Sequence, residues 1–313
     1  MPTPFRCFVR LTLCLVPTVA TGQGAAVGPP PVAWWPRVPV QGSLVRVVLR
    51  PPAGDSVTGV SGELAGEPLH FEPFADGFRA LGAVPFGAQD SAAAYLVVQR
   101  AGVADDSLLA TLPIARRRVP RERLRVAPQY AEPPESLAER IRLEQEMVRE
   151  VRQRAHQTPR LWQAPFVRPS AGAVTSVFGV ARVFNEVLRS RHWGVDFGAR
   201  WGAPVRAANR GVVALVADLY YSGTTVLIDH GAGLVTGYFH LSRVLVAAGD
   251  TVDVGQPIGH VGSTGRVTKP HLHWFCAYGE ITVDPLDLIR PNGPVRFTSR
   301  LSPDKAPERV SAP

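Results

Sequence analysis

The chain has 313 residues, 45% of them hydrophobic and 19% charged, with a formal net charge of +8. That length is enough for two domains that each bury a core, and the composition is ordinary for a globular protein. Its 30 prolines and 29 glycines favour a turn-rich β architecture and argue against a helical bundle.

Residues 1–22 read as an export signal. Arg6 and Arg10 supply a positive start, Leu11 to Ala20 an apolar stretch, and Ala20-Thr21-Gly22 small residues for cleavage before Gln23. The apolar stretch is too short to span a bilayer, and no later segment reaches the roughly 20 apolar residues of a transmembrane helix. A short membrane anchor or a buried strand is the competing reading of this leader. No stable membrane span is expected, and the location expected is the periplasm or cell envelope, with release to the exterior also open. Cys7 and Cys14 fall within the leader, so Cys276 is left without an internal disulfide partner. Removing the leader takes two arginines and no acid, which leaves +6. A basic exported protein suits a polyanionic surface such as cell wall or anionic lipid. Nucleic acid is not an expected partner. The arginines are scattered, the tight run Arg116-Arg117-Arg118 reads as a solvated strand end, and no nucleic-acid-binding motif is visible.

Residues 23–37, QGAAVGPPPVAWWPR, are Pro/Gly-rich and expected to be extended, with Trp34 and Trp35 tucked against the next domain. From 38 to 125 the pattern is one of short strands. In SLVRVVLR, Val45, Val47 and Leu49 share a face while Arg46 and Arg50 point away. AAAYLVVQR and SLLATLPIARR look similar, which predicts a small β-sandwich. His70 stands alone here and reads as structural. Residues 135–157 change character: Leu137, Ile141, Val148 and Val151 recur at helical spacing with Met147 beside them, and Glu and Arg cover the rest. Pro133-Pro134 precede this amphipathic helix and Thr158-Pro159 close it. It is expected to link two domains and lie on its own protein. Residues 165–290 are again β-like, and 291–313 form a C-terminal tail. The fold class is therefore mainly β.

Six of the eight histidines lie between positions 192 and 273. In SRHWGVDFGA, an extended strand would point His192 and Asp196 the same way, so both could reach one zinc ion at about 2.0–2.2 Å. In KPHLHWF, His271 and His273 share a face while Leu272 points into the core. Two histidines on one face are costly to bury without partners. His192, Asp196 and His273 then make three protein ligands with an open fourth position, the pattern of a catalytic zinc. In GYFHLS, His240 follows Tyr238 by two and is expected on the same face. His240 and His271 are left for proton transfer and oxyanion stabilisation. His230 and His260, each beside Gly, are expected to make local hydrogen bonds only.

The stretch from about 171 to 290 resembles the LytM/lysostaphin-like zinc peptidases, metallopeptidase family 23. The resemblance rests on Ser176 to Gly179 (SVFG), His192 with Asp196, Gly202 to Ala207 (GAPVRA), Gly211 to Val213, Tyr238 to Ser242 (YFHLS), Gly249 to Gly259 (GDTVDVGQPIG), Gly262 to Gly265 (GSTG) and His271 to His273 (HLH). It implies an antiparallel β-sheet fold with one Zn2+ at the floor of a groove. It also implies His192, Asp196 and His273 as zinc ligands, with His240 and His271 as catalytic helpers. The activity implied is hydrolysis of peptide cross-links in bacterial peptidoglycan, and the partners are peptidoglycan peptides. Relatives usually have Gly before the proline of the last motif, where this chain has Lys269 before Pro270. Tyr238 and Lys269 are the candidate substrate contacts. A non-catalytic or latent regulator, which binds wall or activates other wall hydrolases, is the alternative. The intact ligand and helper positions argue for the enzyme. Nothing in the sequence indicates an oligomeric state.

Overall fold

The computed structural model describes residues 32–295 except Asp76 and Asn292. The expected export signal (1–22), the start of the 23–37 segment and nearly all of the 291–313 tail lie outside the described residues. Among the described residues no helix is long and apolar enough to cross a membrane.

The N-terminal part is two four-stranded antiparallel sheets. Strands Val32–Trp35, Leu44–Leu49, Gly77–Ala83 and Glu72–Phe74 neighbour one another in that order in the first. Glu67–Pro68, Val57–Leu64, Ser91–Arg100 and Asp106–Pro113 make the second. Alternation places the inward residues of both sheets in one core: Val45, Val47 and Leu49 from one, Leu64, Leu96 and Leu112 from the other. Trp34 and Trp35 belong to the edge strand Val32–Trp35, and Trp34 packs on that same core. The tight basic run is not simply a solvated strand end. Arg116 is exposed, but the Arg117 guanidinium donates to the Gln41 carbonyl at 2.7 Å and to Asp284 Oδ2 at 2.9 Å, tying the sandwich to the C-terminal domain. Nor is His70 alone. Its Nε2 lies 2.8 Å from His156 Nδ1, and His156 Nε2 lies 3.0 Å from Glu67 Oε2, a hydrogen-bonded bridge between sandwich and helix end.

One boundary differs from the sequence reading. Arg121–Leu124, expected to close the sandwich, instead pairs in parallel with Ala181–Phe184, which pairs antiparallel with Leu188–Arg191. The run RERL has three consecutive charged residues and a single apolar one, Leu124, too little to offer an apolar face to a sandwich core.

The linking helix spans Ala138–Arg154, after a short 3-10 turn at Glu135–Leu137. Val148 and Val151 pack on Leu227, Val235 and Phe239 of the C-terminal sheet, while Met147 stands 41% exposed.

The C-terminal domain is built on one large antiparallel sheet. Its strands run Ala173–Ser176, Gly194–Gly198, His271–Tyr278, Leu234–Phe239, Gly223–Gly231, Gly211–Leu219 and Thr251–Val252 in neighbour order. One face carries Val195, Phe197, Tyr238, Leu272, Trp274 and Cys276, all fully buried in the main core. The pleat therefore sends Asp196, Phe239, His271 and His273 to the opposite face.

The two domains also meet where the Leu44 amide donates to Asp287 Oδ2 at 2.9 Å. Burial, and then the neighbouring Asp284 carboxylate, push the Asp287 carboxyl up to about 7. A carboxyl whose folded pKa is raised stabilises the fold in acid, and this contribution is lost as pH rises through the folded value. The expected outcome is that Asp287→Asn gains thermal stability relative to the parent between about pH 5 and about pH 8. Melting temperatures across that range measure it, and a parent-to-variant difference independent of pH contradicts the assignment.

Candidate metal centre

Register builds the site. Asp196 on the Gly194–Gly198 strand sits directly opposite His273, and on its other side His273 faces Phe239 of the next strand. His192 reaches the same point by a different route from that expected. It does not share a continuous strand with Asp196: it lies just past the Leu188–Arg191 strand, its amide donating to the Val180 carbonyl at 2.9 Å. His192 and Trp193 carry the chain from the small sheet to the large one, so backbone turning, not strand alternation, aims this imidazole. Trp193 packs beside it against Phe86 of the sandwich, ring centroids 5.6 Å apart.

Three atoms converge. His192 Nε2, His273 Nδ1 and Asp196 Oδ1 lie 2.9 Å from one another on every side, and all three residues are buried. The proton inventory shows what this triangle needs. His192 Nδ1 lies 2.9 Å from the Val177 carbonyl, so in the neutral ring the proton sits there and Nε2 is a bare lone pair. That lone pair faces a carboxylate oxygen, and two acceptors in contact repel unless a cation lies between them. The donor set, two imidazole nitrogens and one carboxylate oxygen, fits a metal ion. Burial opposes ionisation of Asp196, but the adjoining His192 and His273 imidazoles outweigh it and hold the carboxyl well below its usual range. Burial pushes His273 down to about 4 despite Asp196, which keeps the imidazole neutral, the form that binds metal.

Neighbours that sequence reasoning did not single out fix this geometry. A Cβ at Gly194 would lie 2.4 Å from His273 Nε2, so the ligand ring requires glycine there. The Phe239 ring stacks on His273 with centroids 5.1 Å apart and planes 7° from parallel. Arg182 donates to the second carboxylate oxygen of Asp196 at 2.7 Å. The glycine two residues before Asp196 was a legible signal; the other two depend on strand pairing.

The two remaining histidines reach the centre. His271 Nδ1 donates to the Lys269 carbonyl at 2.8 Å, which turns its Nε2 inward to 3.5 Å from Asp196 Oδ1. His240 Nδ1 donates likewise to the Thr264 carbonyl at 2.8 Å, and its ring centroid is 5.0 Å from that of His271. The expected shared face with Tyr238 is not how His240 gets there. The strand ends at Phe239, and His240 takes a left-handed backbone with φ of 63°. Simple alternation would have sent it into the core with Tyr238; the left-handed turn brings it to the metal face. Burial first, and then the nearby His271 and His273, push its pKa well down.

Tyr238 is not a substrate contact. It is fully buried, and its hydroxyl accepts from the Ala208 amide at 2.8 Å and bonds Thr236 Oγ1 at 3.1 Å. Lys269 has an exposed side chain, and its carbonyl accepts from His271 Nδ1. His230 makes the expected local bonds, 2.7 Å to the Arg210 carbonyl and 2.8 Å to Thr236 Oγ1. His260 accepts from Ser242 Oγ at 3.3 Å through its backbone carbonyl, while its ring Nδ1 is buried without a hydrogen-bond partner among the described residues.

A buried three-residue metal site on one face of an antiparallel sheet, flanked by two spare imidazoles, has the layout of a metallopeptidase centre. Residues 190–285 match peptidase family M23. The chain is 47% identical over 83 residues to the peptidoglycan DD-endopeptidase ShyA of Vibrio cholerae, a match covering 26% of this chain and 19% of that protein. It is 41% identical over 100 residues to the DD-carboxypeptidase/endopeptidase Mpg of Neisseria meningitidis, covering 32% of this chain and 23% of that one. A crystal structure of a putative peptidase M23 from Pseudomonas aeruginosa superposes with a TM-score of 0.60 at 26% identity, over 80% of this chain and 95% of that one. Residues 190–285 are thus a peptidase M23 domain homologous to the Vibrio and Neisseria proteins. The matches span only 19% and 23% of the length of those two curated relatives.

Since the Tyr238 hydroxyl serves the core, Tyr238→Phe is expected to cost about 1–3 kcal/mol of stability by leaving the Ala208 amide unpaired. Urea unfolding measures this, and metal affinity is expected to stay at the parent's value.

Proposed function

We propose that this chain is an exported zinc metalloendopeptidase that hydrolyses peptide cross-links of bacterial peptidoglycan, in remodelling or degrading the wall. The observation that carries the reading is the pair His240 and His271. Each has its Nδ1 proton committed to a backbone carbonyl and its Nε2 free beside the metal triangle. A structural metal site has no use for two such imidazoles. The similarity to the Vibrio relative, a peptidoglycan DD-endopeptidase, supports the substrate class, and the leader read in residues 1–22 supports export.

His192, Asp196 and His273 would hold the ion, and the mixed nitrogen and oxygen donors with three protein ligands favour zinc. When bound, zinc supplies Lewis acidity at the scissile carbonyl. The chain's own residues do the rest. The Nε2 atoms of His240 and His271 accept and return the proton that moves during amide hydrolysis, and the protonated ring donates a hydrogen bond to the developing oxyanion. The low pKa of His240 keeps its Nε2 available as a proton acceptor at neutral pH. Phe239, stacked on His273, covers one face of that ligand ring.

The test is incubation of the purified protein with peptidoglycan, with and without a chelator, and identification of the fragments by mass. Chelator-sensitive release of uncross-linked peptides is expected, and no release favours a non-catalytic regulator instead. His273→Ala is expected to lose both zinc and activity. His240→Ala is expected to keep zinc while turnover falls roughly a hundred- to ten-thousandfold. Full activity after either change rules out these roles.

A further inference from the structure

The metal-facing oxygen of Asp196 is Oδ1; the other, Oδ2, is taken by Arg182 at 2.7 Å. Arg182 does not stand free. Its Nε donates to Glu122 Oε2 at 3.0 Å, and the guanidinium also donates to Ser176 Oγ at 3.0 Å. The Ser176 hydroxyl in turn donates to Glu122 Oε1 at 2.8 Å. Both carboxylate oxygens of Glu122 are thus engaged, and the guanidinium bridges two carboxylates on opposite sides.

Strand pairing sets this chain of contacts. Arg182 lies directly opposite Glu122 in the parallel pair, and Ser176 lies opposite Asp196 in the large sheet. Cross-strand partners on one face stand close enough for their side chains to meet. Glu122 comes from the segment that leaves the sandwich, and both Glu122 and Arg182 precede the family segment, which begins at residue 190. None of the three is exposed to solvent by more than about a third, with side chains 15% exposed for Arg182, 28% for Glu122 and 8% for Asp196.

We infer that Glu122 is a positioning residue for the metal site: through Arg182 it fixes the rotation of the Asp196 carboxylate so that Oδ1 alone faces the ion. The inference rests on the metal-site reading given above. Groups that orient a ligating carboxylate tune metal affinity nearly as strongly as the ligands themselves. Charge adds to orientation here. A lone Arg182 would place a positive charge beside a site built for a dication, and Glu122 offsets it. Losing Glu122 therefore weakens metal binding on both counts. Losing the arginine charge would set the two effects against each other. Arg182→Lys separates them, because it keeps the charge but lacks the fork that spans Asp196 and Glu122.

The experiment measures zinc affinity of the whole protein by competition with a chromogenic chelator, and the visible absorption spectrum of the cobalt-substituted protein. Glu122→Ala and Arg182→Lys are each expected to weaken zinc binding about ten- to hundredfold and to change the cobalt spectrum. Arg123→Ala is the control for docking of the strand: its side chain is 80% exposed, and it is expected to bind zinc as the parent does. Parental affinity and spectrum in Glu122→Ala, or in Arg182→Lys, overturn the inference. So does an Arg123→Ala variant as weak as Glu122→Ala, which would trace the loss to strand docking. A parent that binds no zinc defeats the metal-site reading itself, a result distinct from any of these.

Discussion

Three lone pairs held 2.9 Å apart repel one another, and the fold of the C-terminal domain is organised around holding them there. Folding must supply the energy that keeps His192, Asp196 and His273 together before any ion arrives, because buried acceptors facing one another are costly. Antiparallel pairing supplies two of the three, with Asp196 directly opposite His273. The opposite face of the same strands supplies the anchorage: Val195, Phe197, Leu272 and Trp274 are fully buried. A slip of one residue in this pairing would exchange the two faces, burying the ligands in the core and exposing Trp274. The core and the site are therefore the same constraint seen from two sides.

The orientation of each imidazole follows a common rule. Val177, Thr264 and Lys269 each offer a backbone carbonyl to the Nδ1 of a histidine, His192, His240 and His271 respectively. Each such bond fixes the tautomer and leaves Nε2 bare toward the centre. His273 is the exception, binding through Nδ1, and it is held instead by the Phe239 ring and by the space over Gly194. The Thr264 and Lys269 carbonyls come from the one loop between the Pro257–Val261 and His271–Tyr278 strands, and Val177 follows the Ala173–Ser176 strand, which makes these loops part of the chemistry without contributing a side chain to it.

The N-terminal region is joined to this centre by more than a linker. Arg117 reaches Asp284, the Leu44 amide reaches Asp287, and Phe86 lies against Trp193, the neighbour of the ligand His192. The strand Arg121–Leu124 adds itself to the small sheet that delivers His192. Whatever displaces the sandwich would be felt at the ligands through these contacts.

The sequence by itself determined the β class, the amphipathic helix and the histidines that gather at the site, because alternation and spacing are local properties written into adjacent residues. It also placed His271 and His273 on one face, since alternation along H-L-H leaves little choice. Tertiary structure alone decided the rest. Tyr238 looked like a groove residue, but its strand turns that face to the core, and His240 escapes only through a left-handed backbone that no periodicity encodes. Glu122 and Arg182 stand 60 positions apart, and their convergence on Asp196 depends on a parallel pairing between segments from different parts of the chain. Local patterning fixes which face a residue occupies; which residues then meet across strands is set by long-range register, and the finer geometry of the site lives there.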